Sequence, residues 1–242
     1  MTEQKRALIT GGTRGIGRAI AEELVGLGYA VVLTYVKDEK RARGTVEQLT
    51  ASGASATAVR ADVTRVNEVK RLFEEALREG AIDLLVNNVG EFLFKPFLDT
   101  TPEEWDAILR NNLASTVLCC REILPHMRSR GEGQIVSIAS MNAEVLRARP
   151  NTLPYAVAKA GIVLLTKSLA KTEGAYGIRV NAVSPGFVET GEHPPTKSIK
   201  GTIPLARLAR ATEIARAVAF LASDQASYTT GAILNVHGGA FL

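Results

Sequence analysis

The sequence predicts one α/β domain with a doubly wound parallel sheet of about seven strands and helices on both faces. Three observations support this fold class. The chain has 242 residues, which suits a single large domain. Apolar runs of strand length alternate with longer helical patterns, and no linker, repeat or low-complexity tract divides the chain in two. We therefore expect residues 1–242 to form one domain.

Seven apolar runs are the predicted strands, and several are β-branched runs without alternation, as in strands that are buried on both faces. The runs span 6–10, 30–35, 56–60, 82–86, 134–139, 178–183 and 232–236. The helical patterns span 16–27, 40–52, 66–79, 103–129, 155–174 and 211–223. The Pro- and Gly-rich segment 184–204 follows the sixth strand. It predicts a substrate-covering lid near 190–203, with an ordinary surface connection as the alternative.

Composition argues against several classes of protein. The net charge is +4, but the basic residues lie mostly beside acidic ones and form no block with aromatics, which predicts no nucleic-acid partner. No run of eighteen apolar residues occurs, so we expect no membrane span. The polar start of the chain lacks the apolar core of a secretory signal. Cys119 and Cys120 are adjacent and have no partner elsewhere, which favours a reducing, cytoplasmic location.

A glycine-rich turn, TGGTRGIG at residues 10–17, stands between the first strand and the first helix. Glycine permits the sharp turn, the close approach of bare backbone to a pyrophosphate and the tight packing of helix on strand. The helix then points its N–H groups and its positive dipole end at the phosphates. The turn predicts a Rossmann-like dinucleotide site, a ligand-free turn being the alternative. The predicted contacts are Gly11, Thr13, Arg14, Gly15, Ile16 and Gly17.

The end of the second strand predicts which dinucleotide binds. An acidic residue there would accept bonds from the adenosine ribose and repel a 2′-phosphate. This chain instead has Tyr35 and Lys37, with Arg14 in the glycine turn. Two cations near one point favour a phosphate, so we predict NADP(H) rather than NAD(H). The alternative for Lys37 is a solvated surface side chain.

Tyr155 and Lys159 are four residues apart in a predicted helix, so their side chains share one face. A free tyrosine has a pKa near 10 and is a poor acid–base catalyst at neutral pH. A nearby ammonium favours the phenolate, so we expect Lys159 to lower the pKa of Tyr155. Taken alone, a Tyr-x-x-x-Lys pair is more often an ordinary surface pair.

Further motifs accompany this pair in a fixed order, and together they resemble the classical short-chain dehydrogenases/reductases over essentially the whole chain. Within that family the pattern is closest to the 3-oxoacyl-[acyl-carrier-protein] reductases. The motifs are TGGTRGIG, Asp62-Val63, Asn87-Asn88-Val89-Gly90, Asn112, Ser140, Tyr155 with Lys159, and the segment Pro185-Gly186-Phe187-Val188-Glu189-Thr190.

The resemblance implies a catalytic role for four residues. Tyr155 is expected to protonate the carbonyl oxygen as hydride arrives, and Lys159 to bind the nicotinamide ribose and tune the tyrosine. Ser140 is expected to orient and polarise the substrate carbonyl. Asn112 is expected to hold a water that links Lys159 to solvent.

The resemblance also implies further cofactor contacts and no metal site. Asp62 is expected to accept from the adenine amino group, beside the Val63 backbone. Asn88 and Gly90 are expected to line the cofactor, although a purely structural role for Asn88 is the alternative. The residues implied for the nicotinamide ring and carboxamide are Pro185, Gly186, Val188 and Thr190.

Two departures from the family pattern concern the substrate. Tyr176 stands where many carrier-protein reductases have an arginine that docks the acidic carrier, although Arg128 and Arg130 could offer such a patch. The segment after Ser140 is longer than usual and places Arg147 and Arg149 near the expected pocket mouth. An anionic substrate and a solvated basic loop are the two interpretations.

The leading hypothesis is an NADPH-dependent carbonyl reductase that acts on a 3-oxoacyl thioester, either small or carrier-bound, or on another ketone or aldehyde. One alternative is an oxidative alcohol or sugar dehydrogenase. The other is a catalytically silent cofactor-binding protein on the same fold. The resemblance implies a homotetramer.

Overall fold

The computed structural model describes residues 4–51, 53–145, 147–189 and 202–240. In these residues seven strands form one sheet, and every neighbouring pair is parallel. Its strands are β1 (Arg6–Ile9), β2 (Ala30–Tyr35), β3 (Ala56–Arg60), β4 (Leu84–Asn87), β5 (Gly133–Ile138), β6 (Ile178–Pro185) and β9 (Ile233–Val236). The order across the sheet is β3-β2-β1-β4-β5-β6-β9. A separate parallel pair consists of β7 (Val188–Glu189) and β8 (Ala209–Arg210).

Helices cover both faces of the seven-stranded sheet. They are α1 (Gly15–Gly26), α2 (Glu39–Ala51), α3 (Val66–Arg78), α4 (Pro102–Leu109), α5 (Ser115–Arg130), α6 (Leu153–Glu173) and α7 (Ala211–Ala222). Successive residues of a strand point to opposite faces. Accordingly Ile9 packs in the core beneath α1 and α7, whereas Leu8 packs in the core beneath α3 and α5. The predicted α/β fold class is confirmed.

The predicted single helix over 103–129 is wrong in one respect. The described chain contains α4, then a π-helical turn at Arg110–Ala114, then α5. Within that turn the Asn112 amide donates to the carbonyl of Ile108 over 3.0 Å and to that of Glu91 over 2.9 Å. The residues on both sides have helical periodicity, so the sequence pattern does not reveal the extra residue in the turn.

The strand order places the ends of four strands at one edge. The chain runs outward from β1 to β3 and returns to pair β4 with the other side of β1. Ligands of open parallel sheets bind at such a reversal, beyond the carboxyl ends of the strands. The glycine turn after β1 and the Asn88–Gly90 segment after β4 both lie there, as do Ser140 after β5 and Gly186 after β6.

One described segment, Leu153–Tyr176, is long and apolar enough to cross a membrane by length and composition, with 39% of its most apolar window buried. It consists of α6 and the short turn after it. A core helix of a soluble domain meets the same criteria, and α6 packs against β6, α4 and α5. Its buried face includes Ala158, Lys159 and Ile162. The packing is that of a domain helix.

Candidate active site

The glycine turn has the backbone conformation that the sequence predicted. Gly11 and Gly15 have φ of +62° and +51°, in the left-handed region that favours glycine. A Cβ on Gly17 would lie 2.6 Å from the Asn88 amide nitrogen and would also strike the Gly11 carbonyl oxygen. Only a bare backbone therefore allows α1 to start this close to the end of β1.

The start of α1 is suited to an anion. Arg14, the residue before the helix, is extended and provides no side-chain cap, and the first turn contains no acidic residue. Neither the cap side chain nor an acidic residue of the first turn therefore neutralises the positive dipole end of the helix. With the glycine backbone beside it, this end of α1 fits the pyrophosphate of a dinucleotide.

Thr10 and Asn88 connect the ends of β1 and β4. The Thr10 hydroxyl oxygen accepts from the backbone N–H of Asn88 (2.9 Å) and of Val89 (3.1 Å). The Asn88 amide donates to the carbonyls of Thr10 (2.9 Å) and Gly11 (3.2 Å). Because both contacts of this amide hold the glycine turn in place, they match the structural alternative for Asn88. Sequence reasoning did not identify Thr10.

Asn112 and Lys159 meet beside Gly90. A Cβ on Gly90 would lie 2.6 Å from the Asn112 Oδ1 and 3.3 Å from the Lys159 Nζ. The Asn112 Oδ1 is buried and has no hydrogen-bond partner among the described residues, whereas its amide nitrogen has two. An unpartnered buried acceptor beside an ammonium is the arrangement that a bridging water satisfies.

The Lys159 side chain is almost completely buried at 4% exposure. Its ammonium donates to the Ile138 carbonyl over 2.8 Å and lies 5.6 Å from the centre of the Tyr155 ring. Burial lowers the pKa of Lys159 to about 8. The predicted convergence of Tyr155 and Lys159 on one face of α6 is present in the structure.

The predicted lowering of the Tyr155 pKa is not found in the structure. Burial raises the pKa of Tyr155 above its ordinary value, and a hydrogen bond with Ser140 opposes this with a smaller effect. Desolvation disfavours the phenolate, and the effect that opposes it is the Ser140 bond, not the lysine charge that the sequence argument took to be decisive. The same hydrogen bond places the Ser140 side chain beside the Tyr155 phenol.

Hydrogen bonds hold the segments after β5 and β6 together. The Ser184 hydroxyl donates to the Ser140 carbonyl, and the Met141 N–H donates to the Pro185 carbonyl over 2.9 Å. A Cβ on Gly186 would lie 2.7 Å from the Cα of His237, so the two backbone segments approach each other closely there. Pro185 is buried, and Val188 is half-buried at the start of the short β7. Thr190 and positions 190–201 of the predicted lid lie outside the described residues.

The adenosine side of the site contains the remaining predicted residues. Tyr35 ends β2, and Lys37 is exposed just beyond it. The glycine turn, which contains the exposed Arg14, contacts the end of β2, where the Gly11 N–H donates to the Thr34 hydroxyl oxygen over 3.0 Å. The Asp62 carboxylate accepts from the Thr64 hydroxyl (2.7 Å) and pairs with Arg65 (3.2 Å). The turn that contains Asp62 thus orients its carboxylate oxygens. Val63 beside it is buried, and Thr13 and Ile16 lie within the glycine turn and first helical turn.

The basic residues suggested as a carrier patch are engaged elsewhere. Arg128 binds the buried Glu173 carboxylate with two bonds of 2.6 and 2.8 Å, and its guanidinium lies 4.5 Å from the centre of the Tyr176 ring. Arg130 pairs with Asp83 over 2.8 Å. Both arginines already form ion pairs within the protein, with Glu173 and Asp83, and these partners offset the positive charge of the suggested patch.

The second basic pair lies beyond Ser140. Arg147 is exposed, and an Arg149 nitrogen lies 3.5 Å from the Met141 carbonyl oxygen. The loop therefore folds back toward the residue that follows Ser140, as the expected position near the pocket mouth requires.

Sequence reasoning also missed Phe92. Its ring packs edge-to-face on Tyr155, with ring centres 5.1 Å apart and an angle of 82° between the planes. The residue stands two positions after Gly90 in a segment with no regular periodicity. No local pattern indicates that it reaches α6.

Comparisons with known proteins identify the family and agree with the fold. A sequence model of the family described as Enoyl-(Acyl carrier protein) reductase matches residues 11–240. The chain is 36% identical over 248 residues to the 3-oxoacyl-[acyl-carrier-protein] reductase FabG of Staphylococcus aureus (strain Mu50), with 100% of both chains covered. It is 39% identical over 244 residues to the protein of the same name from Haemophilus influenzae, with 98% of each covered. The crystal structure of gox2181 matches with a TM-score of 0.92 and 31% identity, covering 98% of this chain and 95% of that one.

Proposed function

Because the chain belongs to the short-chain dehydrogenase/reductase family and is an oxidoreductase of CH–OH and C=O carbons, we propose that it is an NADPH-dependent carbonyl reductase. Its substrate would be a 3-oxoacyl thioester or a related ketone, and Tyr155 would be the proton donor. The observation that carries the proposal is the convergence of Tyr155, Ser140 and Lys159, in which the phenol bonds to the serine and the buried ammonium lies beneath the ring.

The protein's own groups suit the protonation of a carbonyl oxygen. Burial keeps the phenol of Tyr155 protonated at neutral pH, which is the form a proton donor needs. Ser140 would donate to the same oxygen and hold it near the phenol. As the proton leaves Tyr155, the Lys159 cation would stabilise the phenolate, since a charge of opposite sign counts most in a dry site.

Cofactor binding would use the glycine turn for the pyrophosphate and Lys159 for the nicotinamide ribose. The nicotinamide, when bound, supplies the hydride. Gly186 and Val188 would contact its ring, and Arg14 and Lys37 would bind the 2′-phosphate. The uncapped start of α1 and the left-handed glycines support the first assignment. The exposed cations at the ends of β1 and β2 support the last.

Proton resupply would follow Lys159 and Asn112. The unpartnered Asn112 Oδ1 and the Lys159 ammonium lie on the same side of Gly90. A water between them would complete the hydrogen bonds of both groups and connect Tyr155 to solvent.

The identity of the thioester, small or carrier-bound, is a separate part of the proposal. The curated relatives are named for 3-oxoacyl groups on acyl carrier protein, which favours a 3-oxoacyl thioester here and a role in fatty acid biosynthesis. Since Arg128 is bound to Glu173 and stacked on Tyr176, we propose that a small thioester is reduced as well as a carrier-bound one.

We further propose a cytoplasmic homotetramer. An apolar surface groove on α4, the π-helical turn and α5 is lined by Leu109, Leu113, Val117 and Leu118, and Leu164 on α6 is 68% exposed. Apolar helix faces of this kind are buried in symmetric assemblies. The molar mass in solution by light scattering tests this assignment.

The rate of NADPH oxidation with different substrates tests the proposed function. The purified protein is mixed with NADPH and, separately, with acetoacetyl thioester, a diketone, a quinone and crotonyl thioester. We expect turnover with the oxo substrates and none with crotonyl thioester, the enoyl substrate that the family description suggests. Tyr155→Phe should lose turnover and still bind NADPH. A protein that binds NADPH and reduces none of these compounds would be the silent cofactor-binding protein instead, and faster oxidation of alcohols or sugars with NADP⁺ would favour the oxidative alternative.

A further inference from the structure

The segment directly after Gly90, residues 91–98 (EFLFKPFL), exposes four large apolar side chains. Phe92 is 61% exposed, Phe94 69%, Phe97 58% and Leu98 93%. Single exposed apolar residues are ordinary, but a contiguous group beside a functional site indicates a surface that binds something apolar.

Phe92 connects this surface to the reacting groups. Its ring contacts the Tyr155 ring edge-to-face at 5.1 Å between centres. Any carbonyl that accepts the Tyr155 proton must lie within hydrogen-bond distance of the phenol oxygen. The exposed part of the Phe92 ring therefore borders the space that the substituents of that carbonyl occupy.

Two anchors hold Phe92 in this position. Before it, the Glu91 carbonyl accepts from the Asn112 amide over 2.9 Å. After it, the Lys95 backbone N–H donates to the Asn151 carbonyl over 2.6 Å, and the Lys95 ammonium pairs with Glu104 over 2.9 Å. Because the chain is held on both sides of Phe92, its exposed ring is preorganised for contact with a ligand.

We infer that Phe92 is a specificity-determining residue that binds the apolar arm of the ketone substrate, the chain or ring attached to the reacting carbonyl. This inference rests on the proposed function. An apolar arm placed on Phe92 removes apolar surface of both partners from water, and each buried methylene favours binding by about fourfold. A hydroxylated or charged arm would lose its hydration there without gaining a hydrogen bond.

A chain-length series tests the inference. The substrates are 3-oxobutanoyl, 3-oxohexanoyl and 3-oxooctanoyl thioesters of N-acetylcysteamine, and the quantity compared is the ratio of kcat/KM between the longest and the shortest. We expect the wild type to prefer the longer chains by about tenfold or more. Phe92→Ala should reduce the ratio at least fivefold, mainly through KM, and Phe92→Leu should restore most of it. Leu27→Ala, a loss of exposed apolar surface at the end of α1 and outside this segment, should keep the wild-type ratio.

Several results would overturn the inference. An equal rate for all chain lengths in the wild type, or an unchanged ratio in Phe92→Ala, removes Phe92 from substrate selection while the reductase function stands. A changed molar mass in Phe92→Ala with an unchanged ratio would instead make the surface a contact between copies of the chain. If the alanine variant is insoluble, Phe92→Thr replaces it. A wild type that reduces no thioester or ketone of any length would end both proposals.

Discussion

The side-chain oxygen of Asn112 and the ammonium of Lys159 converge on one point beside the Cα of Gly90. A Cβ placed there would lie 2.6 Å from the Asn112 Oδ1 and 3.3 Å from the Lys159 Nζ. The three residues belong to three different parts of the chain: the segment after β4, the π-helical turn and α6. Their meeting places the buried lysine beside the Asn112 Oδ1, which has no hydrogen-bond partner in the described part of the chain.

Gly90→Ala should disturb this meeting. The new methyl group cannot fit without moving Asn112 or Lys159, and a displacement of about 1 Å near reacting groups can reduce turnover about 10²-fold. Steady-state kinetics and thermal unfolding give the effect on rate and on stability. The matched control is Gly44→Ala in α2, where a Cβ meets nothing within 4 Å. It should leave the rate unchanged and stabilise the helix by up to about 1 kcal/mol.

Lys159 should make stability depend on pH. Burial lowers its pKa to about 8 in the folded chain, from an ordinary value of 10.5. The buried cation therefore destabilises the fold fully below about pH 8, and this cost disappears as the pH rises toward 10.5. The gap corresponds to about 3 kcal/mol. We expect the free energy of unfolding of the wild type, relative to Lys159→Met, to rise by roughly this amount between pH 7 and 10.5 in denaturant titrations. A difference that does not change with pH would contradict it.

The phenol of Tyr155 should titrate above its ordinary pKa in the protein without cofactor. Burial raises the pKa, and the Ser140 bond offsets only part of the increase. The measurement is the ultraviolet absorbance of phenolate in the wild type minus that in Tyr155→Phe as the pH increases. A transition well below pH 10.0 would show that the lysine charge outweighs desolvation. Ser140→Ala removes the opposing bond and should move the transition further upward.

The cofactor preference should depend on Lys37. A charge-assisted bond to a phosphate is worth about 1.5 to 3 kcal/mol, which is roughly a 10- to 100-fold effect. Lys37→Glu should therefore reduce the ratio of kcat/KM for NADPH over NADH by at least that factor, because it adds repulsion as well. Lys70→Glu, the same charge change on an exposed face of α3, is the control. An unchanged ratio in Lys37→Glu, or a wild type that prefers NADH, would exclude the phosphate assignment.

Arg128 should matter for stability more than for turnover. The Glu173 side chain is only 3% exposed, and removal of its partner leaves a buried carboxylate with the Thr172 hydroxyl alone. We expect Arg128→Ala to lower the midpoint of denaturant unfolding, because the buried carboxylate loses its cation. The double variant with Glu173→Ala should cost less than the single one. Since Arg128 holds the pKa of Glu173 below its ordinary 4.5, the stabilisation by this pair should be complete above that pH and lost as the pH falls below it.

Much of the fold and part of the site could be predicted from the chain alone. Continuous β-branched runs and amphipathic periods are local patterns, and they located all seven strands of the main sheet. The glycine turn was also predictable, because the requirements of a tight turn and an uncrowded helix start apply to neighbouring residues. The proximity of Tyr155 to Lys159 followed from helical spacing.

The remaining features depend on contacts between distant parts of the chain, which no local pattern encodes. The π-helical turn at Asn112, the engagement of Arg128 by Glu173 and the contact of Phe92 with Tyr155 each join segments far apart in sequence. The same holds for the electrostatics. The sequence by itself determined which titratable groups are neighbours, whereas only the tertiary structure decided how deeply they are buried. Because desolvation acts on the charged form of each group, burial determined the direction in which the pKa values of Tyr155 and Lys159 move.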